Sequence, residues 1–461
     1  MSRGLNLIYS PQSLSLFKNP VGIKMKKISK LFIAFMATQS LLAFAQINGT
    51  SKTQPVTKAI EGYSDAEYEA MFKVYGYQTA LIGGDASLFA NSRMATFFHT
   101  AVVPQRKPSN PVPTELNPAI GRIEATSPIG KMSLDDFVTN PKSNIQAFLV
   151  MHKGKVVYER YPGMKPNDSH VWASTAKPIV GLLLEQLIDE GKIDQNGTYG
   201  QYVPDFRGTA WENIRILDIM NMASGLNVME NDAARHNPTS LPTRLFLSEF
   251  GQPDSITKKI ESSRTILKLA AKDIPPGTRF DYSSLNTQAL VILVEEVTKK
   301  RLSDVADEKI FSHISLDGDM QLHLSSGDRL EVMHGLVSSR LRNLMLFGML
   351  YTPSWSKIAD QQVVSDAALH RIRKEVASHQ AYMAGSDGPA FTNALNDYVI
   401  SNNRQWDDIF PDGDMFKLGF MGQGLYVSPD RDLVIVYFST SPDTTPGQRY
   451  MRPIAKSGLF N

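Results

Sequence analysis

The sequence predicts an α+β fold: an antiparallel sheet flanked by helices, with an α-helical subdomain set between its strands. Three observations predict it. Apolar runs broken by short turns form a hairpin pattern near residue 150 and another near residue 430. Stretches with helical spacing fill the interval between them. A composition of 42% hydrophobic and 20% charged residues over 461 residues is that of a globular chain with a sizeable core.

In chain order, residues 1–45 hold six basic residues (Arg3, Lys18, Lys24, Lys26, Lys27, Lys30) and no acidic one. The basic segment Met25 to Lys30, the apolar stretch Leu31 to Phe44 and the pattern Ala43-Phe44-Ala45 read as a signal peptide cleaved after Ala45, with residues 1–24 an over-called start. That stretch falls short of the roughly twenty apolar residues a membrane span needs. The expectation is a periplasmic or secreted protein with no stable membrane insertion after cleavage. Residues 46–115 read as an N-terminal extension, with a helix-like piece from Tyr63 to Tyr77 followed by Pro104, Pro108, Pro111 and Pro113, which break regular structure. It is expected to wrap a core domain spanning residues 116–461.

That domain opens with Ile145 to Met151, a turn at Lys153-Gly154, and Lys155 to Tyr158, a β-hairpin pattern. The closing hairpin is Gly424 to Val427, a turn at Pro429-Asp430, and Leu433 to Phe438. Between them, helical patterns cover 175–190, 214–223, 257–271, 286–299, 339–351 and 365–378.

Composition also excludes function classes. The chain has no cysteine, which removes disulfide scaffolds, thiolate zinc sites, iron–sulfur clusters and cysteine nucleophiles. The formal charge of +2 comes from the presequence; without its six cations, 42 basic residues face 46 acidic ones, a balance of −4, and no nucleic-acid footprint is expected. The nine histidines show no metal-binding spacing, and His334 beside Gly335 reads as structural. Gly419, Gly422 and Gly424 do not join a strand to a helix, so they are no dinucleotide fingerprint. No metal or cofactor is expected.

Ser174-Thr175-Ala176-Lys177 stands at the start of a helix apolar on nearly every side. Residues three apart share a helical face, so the Lys177 amine can lie beside the Ser174 hydroxyl. A serine attacks poorly unless a base takes its proton, and a lysine does so only when neutral. Burial and a nearby cation both push lysine towards neutrality. The motif alone is weak, because Ser-x-x-Lys also occurs at Ser15/Lys18, Ser255/Lys258 and Ser354/Lys357, and a serine at this place also fits an N-cap. Ser255 is read as heading a charged amphipathic helix and Ser354 as lying in a polar turn.

Two further motifs follow: Pro276 to Ser284, containing Tyr282-Ser283-Ser284, and Lys417-Leu418-Gly419-Phe420. Together with Ser174-x-x-Lys177 they resemble the serine β-lactamase and penicillin-binding-protein superfamily. The branch most similar is that of class C β-lactamases, related carboxylesterases and 6-aminohexanoate-dimer hydrolases. Further similar pieces are Asp189 to Ile193, Met222 to Leu226 and Gly422-Gln423. The resemblance implies the β-lactamase/transpeptidase-like fold over residues 116–461, with Ser174 as nucleophile, Lys177 as its base and Tyr282 as proton relay. It implies an oxyanion hole from the backbone N–H groups of Ser174 and Phe420, with Ser284, Lys417 and Gly419 contacting substrate. A phenol near two ammonium groups is expected to have a lowered pKa, and Lys417 to add positive charge near the pocket. Ser284 replaces the usual asparagine and Leu418 the usual threonine, and no tyrosine lies between Tyr202 and Tyr282. The expectation is an exported serine hydrolase acting on a small ester or linear amide. The alternatives are a β-lactamase or DD-peptidase, or a non-catalytic penicillin-binding-like sensor domain.

Overall fold

A computed structural model describes residues 54–461; the signal peptide, its cleavage point and the Ser15/Lys18 pair lie outside the described residues. Its centre is a seven-stranded antiparallel sheet made of β1 (Ile145–His152), β2 (Lys155–Arg160), β3 (Ser401–Asn403), β4 (Trp406–Ile409), β5 (Met415–Gly419), β6 (Gln423–Ser428) and β7 (Leu433–Ser439), in the order β2-β1-β7-β6-β5-β4-β3. Both expected hairpins are present, and β7 of the second pairs directly with β1 of the first. The first and last hairpins therefore close one sheet, and residues 161–400 are inserted between its strands.

Continuous apolar runs suit these strands because both faces of the sheet are covered. Along β1, Ala147, Leu149 and Met151 enter one core, while Phe148 and Val150 enter the other. The first core is shared with the helices α1 (Lys177–Asp189), α2 (Leu241–Glu249), α3 (Ser284–Thr298) and α4 (Leu341–Met349). The second is closed by the helices Leu134–Thr139 and Met451–Ala455. Helix α1 is buried along most of its length, and at Gly181 an added Cβ would lie 2.5 Å from the Arg404 carbonyl oxygen, so only glycine lets α1 pass this close to the β3–β4 turn. Among the described residues no helix is long and apolar enough to cross a membrane.

Three expectations change. Residues 257–271 are helical only at Ser263–Leu267, because Asp254 Oδ1 accepts the N–H groups of Ile256 (2.8 Å) and Thr257 (2.7 Å) and holds a turn there, with Lys258 at φ 58°. Ser255 therefore heads no helix. The interval between the hairpins is not wholly helical: β3, β4 and β5 complete the sheet, and a second antiparallel sheet orders Thr100–Val103, Met320–His323, Val337–Ser339 and His170–Val171. The N-terminal extension does more than wrap a core beginning near Leu116, since Thr100–Val103 is an edge strand of that second sheet and residues 54–461 lie in one compact unit.

Candidate active site

Ser174 follows the short strand His170–Val171 on a single 3₁₀ turn, Ala173–Ala176, that runs into α1. The turn is anchored ahead of the serine: the Trp172 N–H donates to the Val337 carbonyl (2.7 Å), and its indole N–H donates to Ser339 Oγ (2.9 Å). Ala173 is held at φ 46°, an unusual conformation for a residue with a Cβ. The Ser174 hydroxyl caps nothing; it accepts a 3.0 Å hydrogen bond from Lys177 Nζ. The N-cap alternative therefore falls.

The other described Ser-x-x-Lys pairs are engaged elsewhere. Ser255 Oγ donates to the Pro238 carbonyl (2.7 Å), and Ser354 Oγ donates to Asp432 (2.6 Å). Lys177 is fully buried. Its Nζ also donates to the His334 carbonyl (2.7 Å) and lies 3.4 Å from Ser284 Oγ. Burial first, and Lys417 second, lower its pKa from 10.5 to about 7.

Tyr282 sits in an extended segment ahead of α3. Its N–H donates to Asp387 Oδ2 (2.7 Å), its carbonyl accepts from the Glu230 N–H (2.8 Å), and Arg279 braces the preceding turn through Asp281 (2.6 Å). The two lysines flank the ring, Lys177 Nζ 4.9 Å and Lys417 Nζ 4.7 Å from its centroid. Lys417 Nζ donates to Tyr282 Oη at 3.3 Å.

The expected lowering of the Tyr282 pKa is overturned. Burial first, then the Asp407 and Glu230 carboxylates, raise it well above 10, outweighing the Ser174 hydroxyl and Arg235. The phenol keeps its proton. Lys417 also departs from expectation: it is fully buried on β5 and ion-paired with Asp407, which neutralises its charge at the pocket. Its own pKa is lowered, by burial against the pull of Asp407.

The expected oxyanion donors have the right availability. Among the described residues neither the Ser174 nor the Phe420 backbone N–H has a hydrogen-bond partner. Strand β5 packs against the Ser174 turn, and Gly419 permits it: a Cβ there would lie 2.8 Å from the Trp172 carbonyl oxygen and 2.7 Å from Gln423 Cβ.

Ser174, Tyr282, Ser284, Gly419 and Phe420 all line one cavity of about 530 Å³, with Lys177 and Lys417 buried behind its floor. Sequence reasoning missed several groups that shape it. Glu230 accepts the Ser284 N–H (2.8 Å) and pairs with Arg235 (2.9 Å); although burial raises its pKa, Arg235 and Lys177 hold it near 2. Asp407 fixes Lys417 and accepts the Leu418 N–H (3.0 Å). His334 Nε2 pairs with Glu249 Oε1 (2.8 Å). Ser174, Tyr282 and Phe420 line the cavity together, with the Ser174 and Phe420 N–H groups free among the described residues, an arrangement suited to attack on a carbonyl. Among the described residues no group of three or more metal-ligating side chains is clustered.

The beta-lactamase family model matches residues 146–459. A 6-aminohexanoate-dimer hydrolase of Paenarthrobacter ureafaciens is 26% identical over 384 residues, 81% of this chain and 89% of that protein. Among solved structures, a candidate 6-aminohexanoate-dimer hydrolase of Bacillus anthracis has a TM-score of 0.69 at 21% identity, covering 84% of this chain and 96% of that one. A beta-lactamase/D-alanine carboxypeptidase of Yersinia pestis has a TM-score of 0.52 at 16% identity, covering 70% and 95%. Both structures share the β-lactamase/transpeptidase-like fold with this chain.

Proposed function

Because the chain belongs to the beta-lactamase family of serine hydrolases, we propose that it is an exported hydrolase cleaving an ester or a linear amide through an acyl-enzyme on Ser174, with Lys177 as base and Tyr282 as proton relay. The observation that carries the reading is Lys177 Nζ at 3.0 Å from Ser174 Oγ, in a buried place where its pKa falls to about 7. Near neutral pH about half of the lysine is then a free amine.

In the first half-reaction the Lys177 amine takes the Ser174 proton as Oγ bonds to the substrate carbonyl carbon. The oxyanion so formed accepts hydrogen bonds from the Ser174 and Phe420 N–H groups. Collapse breaks the bond to the leaving alkoxide or amine, which takes the phenolic proton of Tyr282. Lys417 already donates to Tyr282 Oη, so the phenol's own hydrogen is free to point at the leaving group. The proton held on Lys177 then restores Tyr282. Water repeats the sequence on the acyl-enzyme, releasing the acid and returning the proton to Ser174. A raised phenol pKa supports this role, since a donor that keeps its proton is ready for each leaving group.

Esters and unstrained linear amides are the favoured substrates. Ser284 offers one short hydroxyl, already near Lys177, where an asparagine would offer an amide. Leu418 offers no hydroxyl. A substrate polar group left unpaired there costs about 1–3 kcal/mol. The basic and apolar presequence ahead of Ala45 supports export, and mature protein should begin at Gln46 on N-terminal sequencing.

The test is kcat/KM for p-nitrophenyl butyrate, a linear anilide and nitrocefin, each with wild type and Ser174→Ala. The ester should be turned over faster than nitrocefin, and Ser174→Ala should lose about 10⁴ to 10⁶ in kcat. A wild type that prefers nitrocefin overturns the substrate assignment. Undiminished Ser174→Ala activity overturns the mechanism.

A further inference from the structure

We propose that residues 75–94 of the N-terminal extension complete the substrate cleft and, with helix α2, form a subsite for an extended apolar acyl group; this rests on the serine-hydrolase reading above. Tyr75, Tyr77, Ala80, Leu81 and Met94 line the same cavity as Ser174, and all lie ahead of residue 146, where the match to the family begins. The extension therefore adds a wall that the matched region does not itself contain.

The wall is aromatic. Tyr75 and Tyr77 pack on Phe250 at centroid separations of 5.9 and 6.2 Å, and Tyr77 on Phe246 at 5.4 Å. The polar tips are already used: the Tyr77 hydroxyl donates to the Arg235 carbonyl (2.8 Å), and the Tyr75 hydroxyl lies 3.8 Å from Met94 Sδ. What remains for a ligand is ring and methyl surface. At this end His334 Nε2 is closed on Glu249 Oε1 at 2.8 Å, and Arg235 on Glu230 at 2.9 Å.

The wall is also fixed in place. The Asn91 carbonyl accepts the Val171 N–H (2.7 Å) three residues ahead of Ser174, while its side-chain amide donates to Thr440 Oγ1 (3.2 Å). One extension residue thus ties the strand that precedes the Ser174 turn to the segment following β7. Its neighbours are set before substrate arrives, as selectivity requires.

Assignment to the acyl half follows from the grouping of the apolar side chains. Met94, Val171, Tyr75, Phe250 and Leu336 form one cluster beside the Ala173–Ser174 turn. Tyr282, with Phe391 and Leu418 packed against it, belongs to another, the core that also takes Phe148 and Val150 of β1. Tyr282 protonates the leaving group in the proposed mechanism, so the leaving group lies over its cluster. The acyl chain then lies towards Tyr75 and Phe250.

Each methylene buried against such a wall should raise kcat/KM about fourfold. With three of octanoate's six additional methylenes buried, wild type should prefer p-nitrophenyl octanoate to the acetate by about 60-fold. Two substitutions should cut that ratio about tenfold or more: Tyr75→Ser, which removes a ring, and Ala80→Trp, which fills the cavity from the half-buried face of a helix without opening the core. Circular dichroism melts accompany both, and Ala80→Trp carries the test if Tyr75→Ser does not fold. A wild type that prefers acetate, or a Ser174-dependent enzyme whose ratio ignores the substitutions, overturns the subsite. A Ser174→Ala enzyme that keeps the wild-type rate defeats the serine-hydrolase reading instead.

Discussion

Lys177→Met should abolish turnover and, at neutral pH, relieve the fold of a buried titrating group. Lys177 is fully buried, and its pKa falls from 10.5 to about 7, through burial first and Lys417 second. Between those values the unfolded chain binds a proton at this side chain that the native protein does not. Native stability therefore rises with pH across that window and falls as pH drops from 10.5 towards 7, below which the penalty is constant. At about 1.36 kcal/mol per pKa unit, the side chain weakens the fold by about 4 kcal/mol at pH 7 and about 1 kcal/mol at pH 10. Methionine has a similar volume and does not titrate. Its own penalty is the His334 carbonyl, which loses its 2.7 Å hydrogen bond, about 1–3 kcal/mol at any pH. Denaturant unfolding of both proteins at pH 7 and pH 10 cancels that constant. Variant-minus-wild-type stability should fall by about 3–4 kcal/mol between the two. A difference that stays flat within about 1 kcal/mol means native Lys177 holds its proton into the alkaline range, and the neutral-base argument fails with it. The same titration should appear in wild-type kcat/KM, rising about tenfold per pH unit below 7 and levelling above it.

Tyr282→Phe keeps the ring between the two lysines but removes the proton donor, so kcat should fall by about 10² to 10⁴. The loss should be greater for a linear alkyl amide than for a p-nitrophenyl ester, whose leaving group needs little help; equal losses would rule out the relay role. Asp407→Asn strands Lys417 as a buried charge without its partner and should cost about 3–5 kcal/mol of stability, read by denaturant unfolding; a change under about 1 kcal/mol would contradict the buried pair. Gly419→Ala sets a Cβ 2.8 Å from the Trp172 carbonyl oxygen and 2.7 Å from Gln423 Cβ, so β5 has to move away from the Ser174 turn. A displacement near 1 Å should lower kcat about 10²-fold, and an unimpaired Gly419→Ala enzyme would contradict the close approach.

What was legible in the sequence had an apolar pattern or a chemically improbable coincidence behind it. Strands β1, β6 and β7 show as apolar runs because both sheet faces are covered, and helices α1 and α3 because they are buried nearly all round. Strands β3 and β4 were missed because Ser401-Asn402-Asn403 and Trp406-Asp407-Asp408 read as polar loop. They are buried even so, held by side-chain bonds to distant segments: Asn402 donates to the Asn221 carbonyl (2.6 Å), Asn403 to the Arg371 carbonyl (2.8 Å), and Asp408 accepts from Tyr382 (2.8 Å). No periodicity records such tertiary satisfaction. The site divides in the same way. Ser174 and Lys177 are local, three residues apart, and their spacing sufficed to pair them. The motifs show the two lysine neighbours of Tyr282, whereas its pKa is raised first by burial and then by Asp407 and Glu230, which arrive from distant segments. Tyr75 and Tyr77 bear no motif, and only the folded chain brings the extension to the cavity.

The central claim is that Ser174, and no other serine, carries the acyl group. Labelling the purified protein with a fluorophosphonate, followed by digestion and mass spectrometry, tests it directly, with p-nitrophenyl butyrate hydrolysis followed in parallel. The account predicts one adduct, on the peptide containing Ser174, with loss of activity in step with labelling and no adduct on Ser174→Ala. An adduct on Ser255, Ser284 or Ser354, or full labelling of Ser174 in an enzyme that still turns over ester, would contradict it.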